Sequence, residues 1–181
     1  MKNFKVATCL SLALTTQFTQ ASEGNPSNYQ KQLHPPVKIT EEGASIAVLF
    51  LKSNSEEATG EIVYLQTEPF LPELNYVWKI VDDEIVANFV YSGDSEARGK
   101  SLFLITRNKI NNSSFHGHSY SSMELPLILE DKKLILTYFP EDLAEEKLTN
   151  CYDGYDPSSH EKMICPYKDE LSVKKYLRSR E

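Results

Sequence analysis

The sequence predicts a mainly β protein: an antiparallel β-sandwich or strongly curled sheet of about seven strands, closed by a short C-terminal α-helix. Three observations carry this expectation. Runs that are apolar throughout, or apolar at every second residue, recur along the middle of the chain; most connections between them are short and rich in Gly, Ser, Asp and Asn; and helical spacing of apolar residues is confined to the end.

The 181-residue chain opens with MKNFK, the apolar run VATCLSLAL and a polar stretch ending at Ala21. That is the pattern of a secretory signal, with an apolar run too short to cross a bilayer. Cleavage is expected near Ala21, with Thr19 and Ala21 as the small residues before the cut. The compact, Lys-led signal is of bacterial type, so the expected destination is the periplasm or the medium. Cys9 lies inside the apolar run and is rejected as a lipid anchor. Removing residues 1–21 takes away Lys2 and Lys5 and no acid, which leaves 160 residues with 17 basic and 26 acidic side chains and a formal charge of −9. This length suits one domain. Nucleic acid is not an expected partner, because phosphates are neutralised by clustered Lys and Arg. A basic protein partner would be attracted. No later segment is long and apolar enough for a membrane span.

Residues 22–40 read as an extended polar arm, with Pro26, Pro35 and Pro36, ordered only where it docks, and with His34 exposed. The β-rich domain takes in residues 41–181. Residues 46–51 (IAVLFL) are apolar at both parities, as in a buried central strand, and 61–66 (EIVYLQ) follow a polar turn. Residues 76–81 and 85–91 alternate and are expected to face each other as a hairpin across Asp82, Asp83 and Glu84, with Trp78 in the core. The run 101–107 (SLFLITR) is again apolar on both faces, and residues 108–119 form a long polar connection. Residues 122–129 and 133–139 pair across Glu130, Asp131 and Lys132, with Pro126 placing the first at a sheet edge or at a bulge. Residues 140–148 start a helix of one or two turns, and 169–178 form the final helix, with Val173, Tyr176 and Leu177 on one stripe and Glu170 paired with Lys174.

Chemistry-bearing residues concentrate in 150–167, NCYDGYDPSSHEKMICPY. Two cysteines left in an exported chain read as one disulfide, Cys151–Cys165. Neither a CxxC spacing nor an activating neighbour points to metal or redox use. Asp153 and Asp156 flank a turn but lack the alternate ligands of a calcium loop. His116 and His118, one residue apart, are weak metal candidates: two imidazoles on one strand face need a third ligand, which His160, Asp153 or Asp156 could supply only if the fold brings two loops together. GxSxG, SxxK, HExxH and phosphate-cradling Gly-rich motifs do not occur, so no catalytic residue is assigned and no cofactor is expected. Ten tyrosines, several in loops, fit recognition rather than chemistry. The expected function is therefore a non-catalytic binding protein, of inhibitor or immunity type, occluding a basic enzyme that acts in the envelope. Its contact residues would be Tyr152, Asp153, Tyr155, Asp156 and His160. The alternatives are an accessory protein of envelope assembly and a hydrolase whose motif is not recognisable.

Overall fold

The computed structural model describes residues 31–53, 55–68, 72–93, 99–139 and 146–180. Among the described residues ten strands and two short helices follow in chain order: β1 Gln32–Glu41, β2 Ala44–Lys52, β3 Gly60–Glu68, β4 Glu73–Ile80, β5 Glu84–Ser92, β6 Lys100–Asn111, β7 His116–Glu130, β8 Lys133–Leu136, α1 Glu146–Thr149, β9 Cys151–Asp156, β10 Glu161–Met163 and α2 Glu170–Arg178. One sheet has the order β1-β2-β3-β4 and the other β10-β9-β7-β6-β5, with β8 added on β7. The pairings are antiparallel, and one sheet is curled into a half-barrel. The predicted fold class is the observed one.

Period-2 alternation explains which residues go where. From β2, Ile46, Val48 and Phe50 point into the space between the sheets, where they meet Ile62, Tyr64 and Ile80 on one side and Leu102, Leu104, Leu125, Leu134 and Leu136 on the other. The opposite face of the six-stranded sheet builds a second core. Phe103 and Ile105 lie there with Phe89, Tyr91, Tyr120, Leu148, Val173 and Leu177. Strand β6 is thus covered on both faces, and residues 101–106 are buried without a break. That is why its sequence is apolar at both parities.

Helix α2 supplies the outer cover. Asp169 caps it by accepting from the Ser172 amide at 2.9 Å, while the Ser172 hydroxyl accepts from the Asp169 amide at 3.4 Å, closing a capping box. Val173 and Leu177 are buried, and the Tyr176 ring lies tilted against that of Tyr167, with centroids 4.8 Å apart. The expected Glu170–Lys174 pair forms at 2.6 Å, with the Lys174 ammonium also 4.9 Å above the Phe89 ring. Residues 140–145 of the first expected helix lie outside the described residues; its end is α1.

Several sequence expectations are corrected. Residues 76–81 and 85–91 are not partners: β4 pairs with β3 and β5 with β6. The acidic turn between them carries the chain from one sheet to the other. It is pinned there by Thr106 and Asn108, whose side chains donate to the Asp82 carboxylate, and by the Asp83 carboxylate, which accepts from the Lys109 amide at 2.8 Å. Alternation reports which face a residue takes and is silent about the partner strand. Trp78 is half-buried and packs on Tyr138 at 4.9 Å instead of filling the core. Pro126 is neither at an edge nor in a bulge: β6 runs along one side of β7, and on the other side β9 serves residues 116–120 and β8 residues 127–130. The proline sits where β7 changes neighbours: its carbonyl accepts from the Thr137 amide at 3.1 Å, so its nitrogen also faces away from β6, and the β6–β7 ladder loses no bond.

The arm docks from Gln32 onward as β1. His34 is half-buried in the sandwich seam, edge-on to Phe50 at 5.7 Å, with the Asn88 side-chain amide 2.9 Å from its Nδ1. It joins β1 of one sheet to β5 of the other. Residues 22–30 lie outside the described residues. The long polar connection 108–119 is mostly strand, since β6 and β7 pair as far as Asn111 and His116. The remaining turn is closed by Asn112, whose side-chain Oδ1 accepts from the amides of Ser114 and Phe115 at 2.9 and 2.8 Å.

Candidate functional site

The cysteines bond as expected, with Cα atoms 5.1 Å apart. Between them the chain is a hairpin, not a loose connector: β9 and β10 pair from Asp156–Glu161 to Gly154–Met163. The turn is held by Asp156, whose Oδ1 accepts from the Ser158 amide at 2.7 Å, the Ser158 hydroxyl and the Ser159 amide at 3.3 Å. These donors favour the ionised form and pull the carboxyl down to about 2, the Ser158 hydroxyl contributing most. His160 takes a left-handed φ of 60° to close the turn, and its Nδ1 lies 2.7 Å from the Tyr155 hydroxyl.

β7 and β9 then bring the separated sequence candidates together. His116 lies opposite Tyr155, His118 opposite Asp153 and Tyr120 opposite Cys151. Directly opposed residues share a face, so both histidines stand beside Asp153 and Tyr155 on the face that also carries the second core. The HGH segment is thereby corrected from loop to strand. Among the described residues no group of three or more His, Cys, Asp or Glu side chains is arranged to hold a metal ion. One reason is that Asp153 is engaged by the Lys168 ammonium, and this contact is the largest of the influences raising the lysine's pKa. His116 in turn pairs with the Asn111 side chain at 2.6 Å.

The other face of the same corner rests on glycine. Gly117 and Gly154 are directly opposed, and the Phe115 ring lies over them: a Cβ on Gly154 would come within 2.7 Å of that ring and 2.3 Å of the His116 carbonyl, and one on Gly117 within 2.3 Å of the Asp153 carbonyl. Only a residue without a side chain allows this close approach. Phe115 is buried there and meets Tyr152 edge to face at 5.6 Å. The glycine of DGY, expected in a turn, and the glycine of HGH are together the seat of an aromatic ring.

Around this hairpin the apolar surface remains open. Ile164 is 67% exposed, Met163 and Tyr155 are each 41% and Tyr152 is 37%. A shallow groove of about 340 Å³ runs beside them, lined by Lys147, Tyr152, Met163, Ile164, Pro166 and Tyr167. Of the expected contact residues, Tyr152 and Tyr155 are presented outward, whereas Asp153 and Asp156 already have partners within the chain. Sequence reading missed Met163 and Ile164. Their signal was an apolar pair directly before Cys165 in an otherwise polar segment. A second cavity of about 210 Å³, at the crossover, is lined by Leu33, Ile80, Asp82, Asp83, Glu84 and Ile85. Its acids are bonded to Thr106, Asn108, Lys109 and Arg107 and serve the chain reversal.

No protein-family model, no curated protein and no solved structure matches this chain.

Proposed function

We propose that this is a non-catalytic binding protein, exported to the periplasm or the medium, that docks a protein partner on the corner formed by β9, β10 and the start of β7. The observation that carries the reading is the open apolar set Tyr152, Met163 and Ile164 beside a groove, on a hairpin tied by a disulfide and by the Asp156 turn. A rigid hairpin loses little conformational freedom on binding, so apolar area there converts efficiently into affinity. Aromatic and aliphatic anchors are the usual centre of a protein interface. The acidic charge of the chain supports a basic partner, by attracting it at long range. Asp153 and Asp156 contribute to that field rather than to direct contacts, since both are bonded internally. Within this reading the protein acts as an inhibitor or immunity-type partner, covering the working surface of a basic envelope enzyme.

An affinity pull-down from periplasmic extract tests it. One basic soluble enzyme is expected in the eluate, and Ile164→Asp combined with Met163→Ser is expected to weaken its binding by at least about tenfold, or ~1.4 kcal/mol, with an unchanged melting temperature. Capture of a filament or outer-membrane complex instead would favour the assembly reading. Undiminished binding by the double variant would remove the corner from consideration.

A further inference from the structure

Two groups at the docking corner are left unspent by the fold. The first is in the backbone of β9. The Asn112 amide donates to the Phe115 carbonyl at 3.1 Å, so 112 and 115 form a hydrogen-bonded pair at the end of the β6–β7 ladder. Counting inward from it, Gly117 and Ser119 turn their N–H and C=O groups towards β6, and His116, His118 and Tyr120 turn theirs towards β9. Opposite these three, Tyr155, Asp153 and Cys151 bond to β7, and Tyr152, Gly154 and Asp156 point their backbone groups the other way. Gly154 and Asp156 find Met163 and Glu161 of β10 there. Tyr152 lies past the end of β10, and among the described residues its N–H and C=O have no partner. They open on the side where Met163, Ile164 and Tyr167 line the groove.

The second group is a charge. Lys147 is exposed and is the one charged residue among those lining the groove. Among the described residues it enters no ion pair. The nearby carboxylates are engaged elsewhere, Asp153 by Lys168 and Asp156 by the hairpin turn. The chain as a whole is acidic, yet its groove is apolar with a single ammonium.

We propose, as a deepening of the docking function above and resting on it, that the groove takes an extended segment of the partner in which apolar side chains accompany an acidic one. The main chain of that segment supplies the donor and acceptor that Tyr152 lacks, as a short strand added to β9. Its apolar side chains cover Met163 and Ile164, and its carboxylate meets the Lys147 ammonium. An apolar small molecule would leave the Tyr152 backbone unpaired, and a basic segment would be repelled by Lys147. Long-range attraction and local contact therefore select opposite charges: the partner is basic overall and presents an acidic, apolar strand.

Selection of a displayed library of random linear peptides on the purified protein tests this. Enriched peptides are expected to combine Asp or Glu with apolar residues. Lys147→Glu should weaken their binding by at least about tenfold, and Lys162→Glu by less than about twofold. The second variant makes the same charge change opposite Tyr155, outside the groove. Amide exchange gives an independent readout: in the free protein Tyr152 should exchange fast between protected Cys151 and Asp153, and a selected peptide should protect it. Enriched peptides without an acid, or no enrichment, would overturn the inference. So would equal effects of the two lysine variants, a Tyr152 amide still unprotected in the complex, or one already protected in the free protein by a second copy. In each of these cases capture of the basic enzyme, and its loss with Ile164→Asp and Met163→Ser, would still stand, so the docking function is judged separately.

Discussion

Strands β6 and β9 belong to the same sheet and are held in place by different physics. β6 is buried on both faces, between the sandwich core and the layer under α2, and its stability is that of packed apolar area. In β9 only Cys151 is buried, and Tyr152 and Tyr155 are exposed on opposite faces of the strand. It is fixed instead by a disulfide, by a ring seated on two glycines and by a carboxylate that gathers the turn amides. Rigidity without a core leaves side chains exposed, and that is why the proposed docking surface lies at the corner and not on the body.

Three measurements sharpen this contrast. The largest effect is expected in the body. Phe103 is fully buried, stacked on Phe89 at 5.4 Å and edge-on to Tyr91 at 6.2 Å. Phe103→Ala should cost about 3–5 kcal/mol of global stability in denaturant or thermal unfolding. A loss below about 1 kcal/mol would mean that the layer under α2 is not load-carrying for the fold.

Removing the disulfide by Cys151→Ala with Cys165→Ala should cost about 3 kcal/mol, the chain-entropy value for a ring of this length. Amide exchange is expected to rise first in residues 150–167 and in the part of β7 that pairs with β9. A uniform rise across β6 would erase the distinction between the two regions.

The smallest effect is confined to the hairpin turn and depends on pH. The Asp156 carboxyl is held at about 2, below its ordinary 3.8, so it contributes to the turn fully above the ordinary value and loses that contribution as the pH falls through about 2. The Ser158 amide resonance should titrate with that midpoint while β6 amides stay unchanged. A midpoint near 3.8 would show that the turn bonds do not form in solution.

Much of the sandwich was legible in the sequence. The seven apolar segments all became strands, and the burial of 101–106 follows from apolarity at both parities. Asp169 and Ser172 mark the start of α2 by cap chemistry that needs no tertiary partner. The disulfide was expected from two cysteines in a chain read as exported. The corner was legible only as a list of residues. Nothing local links His116 and His118 to Asp153 and Tyr155, which meet through antiparallel register between segments more than thirty residues apart.

What the chain determines locally, then, is the face each residue takes, the turns at Gly43, Asn112 and Asp156, and the capped final helix, because backbone sterics, periodicity and side-chain to backbone hydrogen bonds act over a few residues. Which strands become neighbours is settled at long range. β4 and β5 separate into two sheets because Thr106 and Asn108 hold the acidic turn, Pro126 sits at a change of partner, and Phe115 finds Gly117 and Gly154 only once β7 and β9 are side by side. Strand pairing is a competition among all exposed edges, and its outcome depends on packing that forms only when the layers close.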